Sequence, residues 1–207
     1  MGEAFARLGI DPTTMHLVDP KLVDKLNIAP QCYDQADVGR PKVVALADKI
    51  ERITCGRPNT YYKSYDGKEA LSGYVFLCLD SLEGRDKIWC KSIRKNRNIV
   101  MMFDIGIGDA NGKYFGVRPD NPVHIERYEA HRARDRRVFE EIQKTEASTG
   151  TCATKQNVGP TADIICGIAK WQFMKWIQVE NGGNEPFENL IAFSMKGQAT
   201  PANEFWE

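Results

Sequence analysis

The residues that could carry covalent catalysis are few, and they lie apart in the sequence. The chain has three histidines, His16, His124 and His131, and its six cysteines include no Cys-x-x-Cys pair. A cysteine nucleophile needs a histidine base within reach, and Cys152 with His131 is the pair that best suits this chemistry. A serine nucleophile is not indicated, because the Gly-x-Ser-x-Gly turn is absent. We therefore predict no catalytic residues, and an enzyme built on Cys152 and His131 remains an alternative.

Glycines are concentrated in the segment 104–116, at positions 106, 108, 112 and 116. Closely spaced glycines let backbone N–H groups approach a phosphate, but the known motifs are incomplete here. Gly112-Lys113 is followed by tyrosine rather than serine or threonine, and Gly106-Ile107-Gly108 has no third glycine three residues later. We interpret the segment as a turn or a small β-hairpin around Asn111-Gly112, and predict no nucleotide or other cofactor.

Metal binding is not indicated either. Asp104, Asp109 and Asn111 offer oxygen ligands, but their spacing differs from that of a calcium loop. No histidine lies near a cysteine at the spacing of a zinc site. Asp and Asn are common in turns because their side chains hydrogen-bond the local backbone. The prediction is that the protein holds no metal ion.

The charge of the chain is balanced overall but uneven along the sequence. Twenty-eight basic and twenty-eight acidic side chains cancel, while residues 85–144 carry fourteen basic and nine acidic ones. Arginine binds phosphate through paired planar contacts, so one alternative function is an RNA-contacting accessory protein that uses Arg94, Arg97, Arg132 and Arg136. Acidic residues share the same predicted helix at pairing distance. We therefore expect other protein subunits as partners, and we do not expect nucleic acid.

Proline and glycine positions divide the chain into three regions. Residues 1–40 contain prolines at 12, 20 and 30, which is typical of an arm of short pieces. Apolar residues at helical spacing follow in residues 41–180, and residues 181–207 form an apolar tail. The predicted fold is mainly α: a helical domain over 41–180 with a small β-hairpin or Gly-rich turn near 104–116, an extended N-terminal arm, and a C-terminal tail that docks on a partner.

Five stretches of that domain are predicted to be helical. Pro41 to Gly56 has a proline at its start and a glycine at its end, which suit the two ends of a helix. The segment 70–82 is the most apolar one, and Gly84 separates it from a second pattern that runs from Trp89 to Phe103. A long charged helix is predicted over 122–147, and an apolar helix over 161–179.

Aromatic and basic side chains mark the predicted contact surfaces. The last helix is apolar on all sides, which is typical of a helix that is buried in a core or shared with a partner. Trp and Lys within it also suit a membrane interface, so residues 164–179 are a candidate lipid contact. The predicted partner-binding residues are Trp171, Phe173, Trp176, Phe205, Trp206, Arg132 and Arg136.

The sequence also bears on location. The first residues lack the basic and apolar regions of a signal peptide. The longest uncharged apolar run, 70–79, has about half of the roughly 20 residues that a membrane-spanning helix needs. Six cysteines are too few for a disulfide-built secreted scaffold of this length. We predict an intracellular protein, with the mitochondrion as one compatible location.

One stretch resembles a known family. Val75 to Ile88, which contains Gly84-Arg85-Asp86-Lys87, is similar to the Gly-Arg-Asp-Lys helix of the peroxisome-elongating peroxins. Asp163-Ile164-Ile165 is similar to a late segment of the same family. We infer no role for any residue of this chain from the resemblance.

The two ends of the chain suggest its function. A proline-punctuated arm and an apolar tail become ordered only where something holds them, and neighbouring subunits are the simplest support. The predicted function is a non-catalytic structural or accessory subunit of a large intracellular multiprotein assembly, such as a mitochondrial respiratory or energy-converting complex. The RNA-contacting protein and an enzyme whose site cannot be recognised are the alternatives.

Overall fold

The computed structural model describes residues 2–28, 31–108, 110–149, 158–195 and 202–206. The chain forms two compact units, Met1–Glu69 and Ala70–Glu207. Both units combine helices with parallel strands.

The first unit is a strand–helix–strand arrangement. Helix α1 (Gly2–Arg7) precedes strand β1 (His16–Val18), and helix α2 (Lys42–Thr54) connects β1 to strand β2 (Asn59–Tyr61). The two strands pair in parallel, with Leu17 opposite Thr60. A parallel pair needs a long crossover connection, which α2 and the segment before it provide. Residues 1–40 are therefore not an extended arm, because they contain a helix and a strand of this unit.

Helix α2 confirms the prediction for Pro41 to Gly56. Its buried face is formed by Val43, Ala45, Ala47 and Ile50, at the spacing of an amphipathic helix. Cys55, the residue that follows the helix, has a left-handed φ of 60° and ends it, whereas the sequence suggested Gly56 for this role. The segment before α2 folds back on itself, since Val23 N–H donates to Arg40 C=O at 2.8 Å and Gly39 N–H donates to Val23 C=O at 2.9 Å.

The second unit is built on a five-stranded sheet. Its strands are β3 (Gly73–Leu77), β4 (Ile99–Ile107), β5 (Asn111–Val117), β6 (Leu190–Ser194) and β7 (Ala202–Glu204), in that spatial order. Strands β3 and β4 are parallel, and the remaining pairs are antiparallel. The hairpin expected near 104–116 is formed by β4 and β5, in the middle of this sheet.

Three helices accompany the sheet. Helix α3 (Leu82–Ile88) and a π-helical turn (Trp89–Ile93) link β3 to β4, and the long helices α4 (Pro122–Thr149) and α5 (Val158–Glu180) separate β5 from β6. The predictions of helices over 122–147 and 161–179 are confirmed.

The two faces of the sheet are covered by different helices, because successive side chains of a strand point to opposite faces. Phe115 of β5 contacts Tyr128 of α4, with 5.2 Å between the ring centroids. Phe103 of β4 contacts Phe173 of α5, with 5.7 Å between the centroids. Tyr114, next to Phe115, packs near Phe103 instead. The sheet is thus buried between α4 and α5.

The prediction of a mainly α fold is wrong, since the described residues form seven strands in two sheets. The apolar segment 70–82 contains strand β3 rather than a helix. The run Gly73–Leu77 is continuously apolar and shows no polar alternation, so its sequence cannot be told from a buried helix by periodicity alone. The pattern from Trp89 to Phe103 divides into the π-helical turn and the start of β4.

Described residues of the segment assigned to the tail contribute to the sheet and core of the second unit. Strands β6 and β7 come from this region, and Trp206 is buried. The Trp206 N–H donates to Asn189 Oδ1 at 2.7 Å, and the Trp206 carbonyl accepts from His124 Nε2 at 2.8 Å. Trp206 is therefore held by its own chain, and docking of the tail on a partner stays a prediction.

Gly112 is expected to tolerate no larger residue. It lies opposite Phe193 in the β5–β6 pair, and a methyl group at position 112 would overlap the Phe193 ring. We expect Gly112→Ala to lower the free energy of unfolding by about 1–3 kcal/mol, the usual cost of overpacking. The matched control is Gly106→Ala in β4, where the nearest atom is 3.7 Å from the added carbon. Equal stability of the two variants in urea unfolding would contradict this account.

His124 is expected to make the stability of the second unit depend on pH. Its Nδ1 accepts the Arg118 N–H at 3.0 Å while Nε2 donates to Trp206, so the bonded ring is neutral. Burial lowers the pKa of His124 below its ordinary value of 6.5. Below about pH 6.5 His124 binds a proton in the unfolded chain but stays neutral in the folded chain. The free energy of unfolding therefore falls as the pH falls.

The measurement is the free energy of unfolding at pH 7.5 and 5.5 for the unmodified chain and for His124→Gln. The loss of stability on acidification should be smaller in the variant. An identical loss in both proteins would show that His124 does not contribute.

Candidate functional site

The carboxyl end of strand β3 carries an exposed acidic residue. Residues 78–81 join β3 to α3, and Asp80 is exposed within this turn. In α/β folds ligands bind beyond the carboxyl ends of parallel strands, and β3 and β4 are the parallel pair of this unit. We call residues 78–81 the Asp80 turn, and it is the candidate site of the second unit.

The end of the Asp80 turn is fixed by a helix cap. Ser81 precedes α3, and its Oγ accepts the Gly84 N–H at 3.1 Å. Such a cap satisfies one of the N–H groups that have no partner inside the helix. Gly84 leaves room for it, because a Cβ at this position would lie 2.6 Å from Ser81 Oγ.

The beginning of the Asp80 turn is held by Arg85, a buried residue of α3. Arg85 is 5% exposed, and its guanidinium donates to the carbonyls of Leu77, at 3.4 Å, and Leu79. It also donates to the Ile105 carbonyl of β4 at 2.7 Å and forms an ion pair with Asp104. Burial lowers the pKa of Arg85, but an arginine stays charged in a protein. One side chain thus joins β3, the turn and β4.

Asp104 and Tyr128 complete this buried cluster. Asp104 is 2% exposed, and its Oδ2 accepts the Tyr128 hydroxyl at 2.7 Å. Burial raises the pKa of Tyr128 well above its usual value, so the hydroxyl keeps its proton and donates. The carboxylate therefore has a charged partner and a neutral donor, as a buried charge requires.

Two of the predicted contact arginines belong to a neighbouring ionic group. Arg132 of α4 is buried and donates to Asp86 Oδ1 at 2.9 Å and to the Leu82 carbonyl at 3.2 Å. Arg136 is exposed and donates to Asp86 Oδ2 at 2.7 Å. Both side chains link α4 to α3, whereas Arg94, one of the RNA candidates, pairs with Glu129.

The first unit has a polar cluster at the carboxyl end of β1. Asp19 follows the strand, and its Oδ1 accepts the Lys21 N–H at 2.7 Å. The Lys21 carbonyl accepts the N–H of Lys42, the first residue of α2, at 3.0 Å. The Lys42 Nζ in turn donates to Gln31 Oε1 at 3.2 Å. We call Asp19, Lys21, Gln31 and Lys42 the β1 cluster: it offers a carboxylate to hydroxyl groups and two cations to an anion.

A second charged feature of the first unit is a pocket of about 490 Å³ beside α2. Arg40 lies between Asp37 and Asp48, and Lys49 pairs with Asp34 and Asp37. The hydrogen bond from Arg40 is the main cause that lowers the pKa of Asp48. These charges are paired with one another, which indicates a structural role.

The aromatic residues predicted to bind a partner differ in exposure. Trp171 is 55% and Phe205 is 49% exposed, whereas Phe173 and Trp206 are buried. Trp176 is half-buried and contacts Phe187. Contact of these residues with a partner stays a prediction. The last helix is not buried on all sides: it buries one face and exposes Ile164, Trp171 and Met174.

The predictions about a catalytic cysteine, a metal ion and a membrane concern residues outside the Asp80 turn. Cys152, proposed to act with His131, lies outside the described residues, and His131 pairs with Glu204 at 3.0 Å. In the described part of the chain no three His, Cys, Asp or Glu side chains come together as a metal site. None of the described helices has the length and hydropathy needed to cross a membrane.

Comparison with known proteins places the fold. The family model of ThiF matches residues 2–204, and no curated protein matches the chain. The fold is similar to that of PaaA in its selenomethionine crystal structure, with a TM-score of 0.71 and 19% identity over 100% of this chain and 68% of PaaA. It is also similar to E. coli MccB crystallised with ATP, with a TM-score of 0.66 and 12% identity over 99% of this chain and 59% of MccB.

A further MccB structure contains AMPCPP and selenomethionine MccA, and its TM-score is 0.65 at 12% identity over 99% of this chain and 59% of that chain. Identities this low show likeness of fold alone. The chain spans about three fifths of MccB and two thirds of PaaA.

These findings overturn the predicted function. The prediction of a non-catalytic structural subunit is wrong, and so is the prediction that the chain is not an enzyme, because the ThiF family model matches residues 2–204. The setting in a membrane-associated mitochondrial complex is wrong for the same reason. The stretch Val75 to Ile88, which resembles the peroxins, contains the end of β3, the Asp80 turn and α3.

Sequence reasoning missed the residues of both candidate sites. Asp19, Lys42, Asp80 and Arg85 were not predicted to have a role. A usable signal was present, since an aspartate follows an apolar run at Asp19 and again at Asp80. Once the runs before them are assigned as parallel strands, the two aspartates fall at carboxyl ends of strands.

The buried cluster predicts different effects for two buried tyrosines. Tyr128→Phe leaves Asp104 Oδ2 without its donor, so we expect the free energy of unfolding to fall by about 1–3 kcal/mol. Tyr114 is also fully buried, but among the described residues its hydroxyl has no hydrogen-bond partner. Tyr114→Phe should be neutral or stabilising. Chemical unfolding of both variants tests this, and a larger loss at Tyr114 would contradict the assigned bonds.

Proposed function

This chain belongs to the ThiF family, and from this premise we propose that it acts in ATP-dependent adenylation, the transfer of AMP from ATP to a peptide or protein acceptor with release of pyrophosphate. The observation that carries the proposal is the family match over residues 2–204. Two facts about a similar protein support it: MccB has been crystallised with ATP, and with AMPCPP together with MccA.

The β1 cluster fits the nucleotide part of this proposal. A carboxylate at the carboxyl end of a strand in a strand–helix–strand unit is well placed to accept hydrogen bonds from ribose hydroxyls, and Asp19 has this position. Lys21 and Lys42 supply positive charge for phosphate oxygens. The start of α2 adds the partial positive charge of a helix N-terminus beside Lys42.

The Asp80 turn fits the metal that accompanies ATP. Mg²⁺ usually keeps several waters and is bound through one or two carboxylates together with the phosphates of the nucleotide. Asp80 is exposed and is one such carboxylate. When bound, the ion neutralises phosphate charge and makes the pyrophosphate a better leaving group. The role of this chain's own residue is to hold the ion at a fixed place.

Residues 1–207 contain no Gly-x-Gly-x-x-Gly motif. The phosphate contacts that we propose for this chain come from charged side chains. Loss of any one of them should therefore have a measurable effect on nucleotide affinity.

The test is equilibrium dialysis of the full chain with radiolabelled ATP and Mg²⁺. We expect binding that Lys42→Gln and Asp80→Asn each weaken by about ten-fold or more, because one charge-assisted contact is lost. Lys68→Gln is the matched control, since Lys68 is exposed and pairs with Asp66 rather than with a member of the β1 cluster. Absence of ATP binding by the unmodified chain, or equal affinity of all three variants, would refute the proposal.

A further inference from the structure

We propose that Arg85 is a positioning residue, which fixes the Asp80 turn so that the Asp80 carboxylate has a set location for the nucleotide-bound metal. This inference rests on the proposed function. It concerns a side chain that does not itself reach the ligand, because Arg85 is 5% exposed.

The contacts of Arg85 are directed at the backbone on both sides of Cys78. The Leu77 carbonyl is the last of strand β3, and the Leu79 carbonyl directly precedes Asp80. Both carbonyls accept from the same guanidinium. A backbone held at residues 77 and 79 leaves Asp80 little freedom, since only the rotation at residue 80 and its side-chain torsions remain.

The guanidinium is itself anchored to the middle of the sheet. It donates to Ile105 of β4 at 2.7 Å and pairs with Asp104, which Tyr128 of α4 holds in turn at 2.7 Å. The turn is therefore fixed relative to β4 and α4 rather than only to its own helix. A buried cluster of this kind is rigid because each charged group would lose its partner if it moved.

Arginine suits this role better than lysine does. Its planar fork has five N–H donors at fixed angles, and here they serve three carbonyls and a carboxylate at once. A lysine at position 85 keeps the positive charge beside Asp104, but its three donors sit on one atom. Arg85→Lys is thus the variant that keeps the ion pair with Asp104 and weakens the hydrogen bonds to the backbone of the turn.

The opposite end of the turn depends on a different contact. Ser81 caps α3 through Gly84, and the Arg85 N–H donates to the Ser81 carbonyl at 3.2 Å. The backbone of Arg85 thus continues the helix from Ser81, while its side chain reaches back to Leu77 and Leu79. Substitution of the side chain removes its hydrogen bonds to Leu77 and Leu79 and leaves the backbone hydrogen bond to Ser81 intact.

A purely structural arginine would behave differently from a positioning one. If Arg85 only stabilised the second unit, its replacement would lower the stability of that unit as a whole. ATP affinity would then fall by the same factor whichever residue is at position 80. If it acts through Asp80, its effect on affinity requires the Asp80 carboxylate. A double-mutant cycle separates these two cases.

The experiment measures MgATP affinity by equilibrium dialysis for the full chain, Arg85→Lys, Asp80→Asn and the double variant. We expect Arg85→Lys to weaken binding by about ten-fold, and to have almost no further effect when Asp80→Asn is already present. Arg132→Lys is the matched control, because Arg132 is also buried but donates to Asp86 and Leu82. The MgATP affinity of this variant should equal that of the unmodified chain. An equal loss in both backgrounds would overturn the inference.

Amide hydrogen exchange provides a readout that needs no nucleotide. In Arg85→Lys we expect exchange to accelerate by about ten-fold over residues 78–81, with β4 and α4 unchanged. Exchange that accelerates throughout the second unit, or does not change in the turn, would contradict the positioning role.

The two proposals can therefore fail separately. If the unmodified chain binds no MgATP, the proposed function is refuted, and the exchange pattern alone decides whether Arg85 fixes the turn. If Arg85→Lys does not fold, Tyr128→Phe takes its place in the cycle, since it removes only the donor to Asp104. Independence of its effect from Asp80 would then overturn the inference.

Discussion

The second unit depends on the ion pair between Arg85 and Asp104. A charge moved from water into a protein interior costs several kcal/mol unless it is paired and hydrogen-bonded. Here both charges are buried together, and the remaining polar atoms are served by backbone carbonyls and by Tyr128. Because these groups come from β3, β4, α3 and α4, none of the four elements can shift without exposing an uncompensated charge. The geometry of the Asp80 turn follows from this constraint.

The sequence predicted the helices of the fold better than its strands. Pro41, Asn121-Pro122 and Gly159-Pro160 mark starts of α2, α4 and α5 closely, because capping chemistry is local and does not depend on tertiary contacts. Strand β3 has no such marker. Its run from Gly73 to Leu77 lies beside β4, which follows about twenty residues later, and this partner decides between strand and helix. The hairpin of β4 and β5 was recognisable because Asn111-Gly112 is a local turn signal.

The candidate site was less accessible from the sequence. Arg85 lies in Gly-Arg-Asp-Lys, a stretch that indicates an exposed charged helix, and nothing local shows that its side chain is buried against Asp104, nineteen positions away in the sequence. The same limitation applies to Trp206. Aromatic residues in an apolar tail indicate burial, but the sequence does not show whether the covering surface belongs to the same chain or to another. His124 and Asn189, which bond Trp206, are distant and polar.

The place of Trp206 in the core has a consequence for synthesis on the ribosome. The first unit consists of contiguous residues up to Glu69, so it can fold while later residues are still being translated. The core of the second unit includes Leu77 near its start and Trp206 near residue 207. Until Trp206 emerges, the apolar faces of β4 and β5 lack one of their covering side chains. The nascent second unit must therefore remain incompletely packed during most of its translation, when chaperones have their best opportunity to bind it.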